Sequence, residues 1–148
     1  MDDSTLIVPL SRCTGSYTMS SHRQSLPPTR ESLTHKFQIQ SHEGYLTIGL
    51  FNDGQPGEIF VKMSKEGSTL SGLVQGFCRA FSLALQFGLP LTEAVARFKG
   101  MRFEPMGSTS NPEIPEAMSI IDYVARYIEL HFCNAQACGS DSQMSRAS

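Results

Sequence analysis

The chain has 148 residues and a formal net charge of −2, which fits one domain with tails. This near balance excludes the electrostatic footprint typical of proteins that bind nucleic acid or anionic membranes. No apolar run approaches the roughly 20 residues of a membrane-spanning helix, and the run at 6–10 is too short for a signal peptide, so we expect a cytoplasmic protein.

The first part of the chain is predicted to form a disordered arm and then a sheet. Residues 1–29 are rich in Ser, Thr and Pro and lack periodicity, which is typical of disorder. Alternating apolar and polar residues then predict three strands, at 34–41, 45–51 and 58–63. Turns are expected at 42–44 and at 52–54, where Asn, Asp and Gly tolerate positive φ. Short turns between successive strands indicate an antiparallel meander.

The rest of the domain is predicted to be helical. Apolar residues at spacings of three and four indicate a long helix over 69–87, which Gly88 ends. Thr92 is expected to cap a short second helix, and a third helix is expected from Pro115. The apolar face of the third helix would consist of Met118, Ile121, Val124, Ala125, Ile128 and Phe132. The predicted fold class is therefore α+β, with a three-stranded antiparallel meander followed by three helices packed on one face.

Eight short motifs run through residues 30–132. They are Thr34-His35-Lys36-Phe37, His42-Glu43-Gly44-Tyr45, Pro56-Gly57-Glu58-Ile59-Phe60, Lys65-Glu66-Gly67-Ser68-Thr69-Leu70-Ser71-Gly72, Leu83-Ala84-Leu85-Gln86, Arg102-Phe103-Glu104-Pro105, Asn111-Pro112-Glu113-Ile114 and Ser119-Ile120-Ile121-Asp122-Tyr123. In order and spacing they resemble the TSCPD-type domain near the C-terminus of adenosylcobalamin-dependent (class II) ribonucleotide reductases. The resemblance implies a TSCPD-like domain at 30–132, followed by a flexible tail at 133–148.

The parent enzymes are ribonucleoside-diphosphate reductases, oxidoreductases that supply deoxyribonucleotides for DNA synthesis through a cysteine radical generated with adenosylcobalamin. This chain has no counterpart of the barrel that carries the radical cysteine and the redox cysteine pair, and it lacks the Thr-Ser-Cys-Pro-Asp string behind the family name. The resemblance therefore implies a stand-alone domain or accessory subunit whose partner is the reductase catalytic chain. By itself the chain would hold no catalytic residue and bind no cofactor. The alternative is a non-catalytic regulatory module that senses a nucleotide or another anion.

The turn before the long helix is a candidate anion or nucleotide site. Its residues are Glu66, Gly67, Ser68 and Thr69. Free backbone N–H groups and hydroxyls at a helix start suit a phosphate or carboxylate, and Arg102 could add a bidentate phosphate contact. The structural alternative is that Ser68 or Thr69 caps the helix and that Arg102 pairs with a carboxylate such as Glu104.

Cys133 and Cys138 are candidate redox residues. The resemblance implies this role, because class II reductases carry C-terminal cysteines that pass electrons to the active-site pair. Incidental tail thiols are the alternative, since the four intervening residues exceed the usual dithiol spacing and a cytosolic disulfide would normally be reduced. Cys78, inside the long helix, is expected to be an inert packing residue.

No metal site is expected. His35, His42 and Glu43 come nearest to one, but they occupy alternate strand positions or a turn, where they would not converge on one ion. A three-stranded sheet has two edges with unpaired backbone groups, and pairing of such edges between two copies of the chain would form a homodimer.

Overall fold

The computed structural model describes residues 18–64 and 68–134, so Glu66, Gly67 and Cys138 lie outside the described residues. The elements, in chain order, are β1 (Ser32–Ile39), β2 (His42–Leu50), β3 (Pro56–Met63), α1 (Thr69–Gln86), α2 (Leu91–Phe98), β4 (Gly107–Ser108), β5 (Glu116–Ala117) and α3 (Ile120–Ile128). A π-helical turn, Glu129–Cys133, continues α3. The predicted fold class is confirmed.

β1, β2 and β3 form an antiparallel meander in that order. On each strand, alternate residues face the helices and are almost fully buried. They are Phe37, Ile39, Leu46, Ile48, Ile59, Val61 and Met63. The opposite face is open, with Tyr45 and Phe60 43% and 52% exposed. The period of two along each strand therefore decides which face carries the core.

The first turn differs from its prediction. It consists of residues 40–41, and residues 42–44 belong to β2. Gly44 lies in the strand because a Cβ atom there would be 2.9 Å from the ring of Phe37, so this glycine permits close packing and does not form a turn. The turn predicted at 52–54 is confirmed.

The first two helices lie close to their predicted positions. α1 begins after Ser68, whose Oγ accepts a hydrogen bond from the N–H of Ser71 at 3.1 Å. The predicted Thr92 cap of α2 is wrong, since Pro90 is the N-cap residue and Thr92 lies inside the first turn. Proline suits this start because its φ is already close to the helical value.

The third helix begins at Ile120, and the predicted start at Pro115 is wrong. Residues 116–117 pair with 107–108 in a two-stranded antiparallel ribbon, which keeps them extended. The helix then begins after Ser119, whose Oγ accepts a hydrogen bond from a backbone N–H of the first turn. The cap at Ser119, four residues beyond Pro115, and not the proline itself, thus sets the start of the helix.

Both outer edges of the sheet have partners over part of their length. On the β1 side, the N–H of Ser110 donates to the carbonyl of Gln38 at 3.1 Å, and the N–H of Gln40 donates to the carbonyl of Ser108 at 2.9 Å. On the β3 side, Ser82 of α1 contacts the backbone of Ile59. A homodimer through these edges stays a prediction.

Residues 18–29 contain no helix or strand and run past the C-terminal end of α1. The N–H of Ser20 donates to the carbonyl of Phe87 at 2.7 Å, and that of Gln24 donates to the carbonyl of Gln86 at 2.9 Å. The domain boundaries stay predictions. Across the described ranges, no helix combines the length and the apolar character needed to cross a membrane. The cytoplasmic location also stays a prediction.

Candidate functional site

The predicted anion-binding turn is only partly described. Ser68 is the N-cap residue of α1, and its Oγ already accepts the hydrogen bond from Ser71. Thr69 is exposed in the first turn of the helix. Arg102 is exposed as well, and it makes no ion pair with a carboxylate in the described parts of the chain. The capping role of Ser68 is therefore confirmed, and anion binding stays a prediction.

A cavity of about 350 Å³ lies beside Ser68. The described residues that line it are Ser41, His42, Glu43, Met63, Ser64, Ser68 and Leu70. Glu43 is neutralised by Lys36, whose Nζ lies 2.6 Å from its Oε1. The volume of this cavity falls at the lower end of the range for small-molecule sites. The hydroxyls of its serines and the imidazole of His42 can donate hydrogen bonds to a small polar ligand.

A second polar cluster joins β1, the loop between β4 and β5, and α3. We call it the His35 cluster, and its members are His35, Asn111, Glu113, Tyr123, Tyr127 and His131. The Oη of Tyr123 lies 2.8 Å from His35 Nε2 and 3.1 Å from Asn111 Nδ2. The ring of His35 stacks on that of Tyr127, and the ring of His131 packs against the same tyrosine in a tilted arrangement, each with 4.2 Å between centroids.

Burial shifts the pKa values of His35, Tyr123 and Tyr127 in the His35 cluster. Desolvation lowers the pKa of His35, a positive charge on His131 lowers it further, and the carboxylate of Glu113 opposes both. Desolvation also raises the pKa of Tyr123 and of Tyr127. The cluster therefore favours a neutral imidazole and neutral phenols.

The sequence drew attention to His35 only as a metal ligand, and it missed Tyr123 and Tyr127. Both tyrosines are at most 5% exposed, although neither belongs to the predicted apolar face of the third helix. Their spacing of four residues, one helical turn, was the available signal. No set of three or more His, Cys, Asp or Glu side chains in the described ranges could hold a metal ion.

The two described cysteines occupy different environments. Cys78 is buried, and desolvation raises its pKa to about 12, so its thiol is protonated and unreactive at neutral pH. Cys133 is half-buried in the π-helical turn. Its pKa is raised mainly by burial and to a smaller extent by the negative charge of Glu129. The redox role of Cys133 and Cys138 stays a prediction.

The described residues thus form a small α+β domain with a cavity beside Ser68 and a partly buried polar cluster around His35. The family model for the TSCPD domain matches residues 16–132. The chain belongs to the TSCPD domain family, which confirms the resemblance and extends it into the segment predicted as an arm.

Similar curated proteins are named vitamin B12-dependent ribonucleotide reductase. That of Rhodopirellula baltica is 54% identical over 110 residues, which cover 74% of this chain and 11% of the relative. That of Streptomyces avermitilis is 44% identical over 110 residues, with the same coverage. That of Agrobacterium fabrum is 41% identical over 115 residues, covering 77% of this chain and 9% of the relative. The chain thus spans about a tenth of these relatives' length. No solved structure matches significantly.

Proposed function

We propose that this chain serves vitamin B12-dependent ribonucleotide reduction as a docking domain, attached to a ribonucleoside-diphosphate reductase catalytic chain as a separate domain or accessory subunit. The observation that carries the proposal is the 54% identity over 110 residues to one part of a much longer reductase. The reaction would serve the supply of deoxyribonucleotides for DNA synthesis. The larger partner would bind adenosylcobalamin, because the relatives that contain a similar region are named vitamin B12-dependent.

The outer face of α1 is the docking surface in this proposal. Leu73 and Leu83 on this face are 69% and 43% exposed. Gly72 and Gly76 are exposed on the same face, and a Cβ atom at either position would meet nothing within 4 Å. Each glycine costs a helix about 1 kcal/mol relative to alanine, and no contact within the described domain accounts for that cost. Close approach of a partner surface would account for it.

The charge on this face indicates the chemistry of the partner surface. Arg79 is the only charged residue among the 18 residues of α1, and it is exposed. It makes no ion pair within the described ranges. A partner that fits this face is therefore apolar, closely packed against the glycines, and carries a carboxylate opposite Arg79.

The test is a binding experiment with the Rhodopirellula baltica reductase from which the matching 110-residue region has been deleted. We expect this chain to bind the truncated reductase and to increase its activity. Leu73→Asp should weaken binding at least tenfold, whereas Leu130→Asp, at a leucine that is 37% exposed on the π-helical turn, should not. Absence of binding and of any effect on activity would contradict docking, as would deoxynucleotide synthesis by this chain alone.

A second candidate function is non-catalytic sensing of a nucleotide or another anion, and the cavity beside Ser68 favours it. The measurement is a thermal-shift screen with nucleoside diphosphates and triphosphates. Sensing predicts stabilisation of several degrees at concentrations well above the dissociation constant, reduced by Ser68→Ala combined with Thr69→Ala and by Arg102→Ala. No shift with any of these ligands would leave docking as the sole function.

A further inference from the structure

The direction of each hydrogen bond in the His35 cluster follows from one backbone group. The N–H of Glu113 donates to Oδ1 of Asn111 at 3.0 Å. A backbone N–H can only donate, so this atom of Asn111 is the amide oxygen and the other is the NH₂ group. Nδ2 of Asn111 therefore donates to the hydroxyl of Tyr123, 3.1 Å away.

The chain of hydrogen bonds continues through Tyr123 to His35. The hydroxyl oxygen of Tyr123 accepts from Asn111, and its single proton remains for the other neighbour. That neighbour is Nε2 of His35, at 2.8 Å. Tyr123 is 0% exposed, so its hydroxyl proton has no water to bond to and would be left without a partner unless Nε2 accepts it. Nε2 is therefore the acceptor, and the imidazole is neutral and carries its proton on Nδ1.

We propose that the chain of hydrogen bonds from Asn111 through Tyr123 to His35 is an acid-sensitive latch that holds α3 and the loop between β4 and β5 against β1. Protonation of His35 places a hydrogen on Nε2, where it faces the hydroxyl hydrogen of Tyr123. The bond that Tyr123 donates to His35 is then lost. The phenol oxygen can accept from the imidazolium only if its own proton, buried at 0% exposure, is left without a partner, and the anchor of Asn111 on Tyr123 is weakened.

The other groups around His35 make its protonation disruptive. Tyr123 and Tyr127 face it from α3, His131 from the π-helical turn and Glu113 from the loop. A positive charge on His131, across Tyr127, opposes a positive charge on His35. Glu113 is 3.8 Å from His131 Nε2 and offsets part of this repulsion. The domain therefore accommodates the second charge by opening the cluster.

The direct test is nitrogen NMR of the imidazoles in the full chain at pH 7.5. We expect His35 to carry its proton on Nδ1, with unprotonated Nε2. In Tyr123→Phe the donor to Nε2 is absent, so the tautomer should shift toward Nε2–H, the commoner form in water. Observation of Nε2–H on His35 in the unmodified chain would overturn the proposal, whatever the stability of the variant.

Opening of the latch is measured by amide hydrogen exchange of the loop and α3 at pH 7.5 and 5.5, corrected for the intrinsic pH dependence of exchange. We expect opening to be at least tenfold more frequent at pH 5.5. His42→Gln, at an exposed histidine outside the cluster, should keep this response, and Tyr123→Phe should lose it because its latch is broken at both pH values. Equal corrected opening at the two pH values in the unmodified chain would contradict the latch. The inference does not depend on docking, so each can fail without the other.

Discussion

Ser82 of α1 accepts a hydrogen bond from the backbone N–H of Ile59 in β3, at 2.9 Å. One helical turn later, Nε2 of Gln86 donates to the carbonyl of Gly57, also at 2.9 Å. Helix side chains therefore occupy the outer edge of β3 that a fourth strand would otherwise pair with. This accounts for polar residues that are buried on the inner face of an amphipathic helix.

We call this series of contacts between α1 side chains and the β3 backbone the ladder. It extends one turn back along α1, where the thiol of Cys78 contacts the backbone of Val61. Four residues of a helix rise about 6 Å, and two residues of a strand rise about 6.6 Å. Every fourth residue of α1 can therefore contact every second residue of β3. The match protects an edge that would otherwise be free to pair with another chain.

The ladder predicts that Ser82→Ala destabilises the fold. The substitution leaves the buried N–H of Ile59 without an acceptor, which should cost about 1–3 kcal/mol. Urea unfolding followed by circular dichroism measures this change in the free energy of unfolding. Ser32→Ala, at an exposed serine in β1, is the control and should change stability by no more than about 0.5 kcal/mol. Equal effects of the two substitutions would contradict the ladder.

Sequence periodicity was sufficient to predict the three strands and α1, because one face of each element is apolar and the period of the apolar residues distinguishes a strand from a helix. It could not predict the ladder or the His35 cluster, since each joins polar residues from segments far apart in the chain. Gly44 was interpreted as a turn residue because turn propensity is local, whereas its close contact with Phe37 is tertiary. The late start of α3 has the same cause, because the ribbon that delays it pairs two separate segments.

Gly72→Ala and Gly76→Ala should each stabilise the isolated domain by up to about 1 kcal/mol, because alanine favours the helix and no neighbour obstructs its methyl group. Gly44→Ala is the opposite case and should destabilise it, since the new Cβ would lie 2.9 Å from Phe37. Thermal unfolding distinguishes the two outcomes. If α1 docks as proposed, the two stabilised variants should also bind the truncated reductase more weakly. Destabilisation by either exposed substitution would mean that the outer face of α1 has contacts within the domain.

Asp122 is fully buried and organises the start of α3. Its carboxylate accepts hydrogen bonds from the N–H of Gly100 at 2.6 Å, from the N–H of Met118 at 2.9 Å and from Nε of Arg126 at 3.1 Å. Asp122→Ala should cost roughly 3–5 kcal/mol, because it leaves buried donors and a cation without their partner. Glu116→Ala, at an exposed position in β5, is the control. A loss below about 1 kcal/mol, measured by urea unfolding, would contradict this role.

Thiol titration tests the environments of the described cysteines. In a Cys13→Ser, Cys138→Ser variant, only Cys78 and Cys133 remain. Because its pKa is raised to about 12, Cys78 should react with a disulfide reagent at pH 8 only after the domain unfolds. Cys133 should react in the folded state, but more slowly than a free thiol, because its pKa is also raised. Rapid reaction of both thiols in the folded protein would contradict the described burial.

His35 should make the domain less stable in acid. Its pKa in the folded state is lowered by burial from the ordinary value of about 6.5, so the unfolded chain binds the proton more readily. The stability associated with neutral His35 is therefore present above about pH 6.5 and is lost as the pH falls through the folded-state pKa. One proton limits the slope to about 1.4 kcal/mol per pH unit. Urea unfolding of the unmodified chain and of His35→Gln between pH 7.5 and 5 isolates the contribution of His35 to the free energy of unfolding, because both proteins share every other titrating group. The difference in stability between them should shrink as the pH falls, and a difference that stays constant across this interval would show that His35 does not titrate with folding.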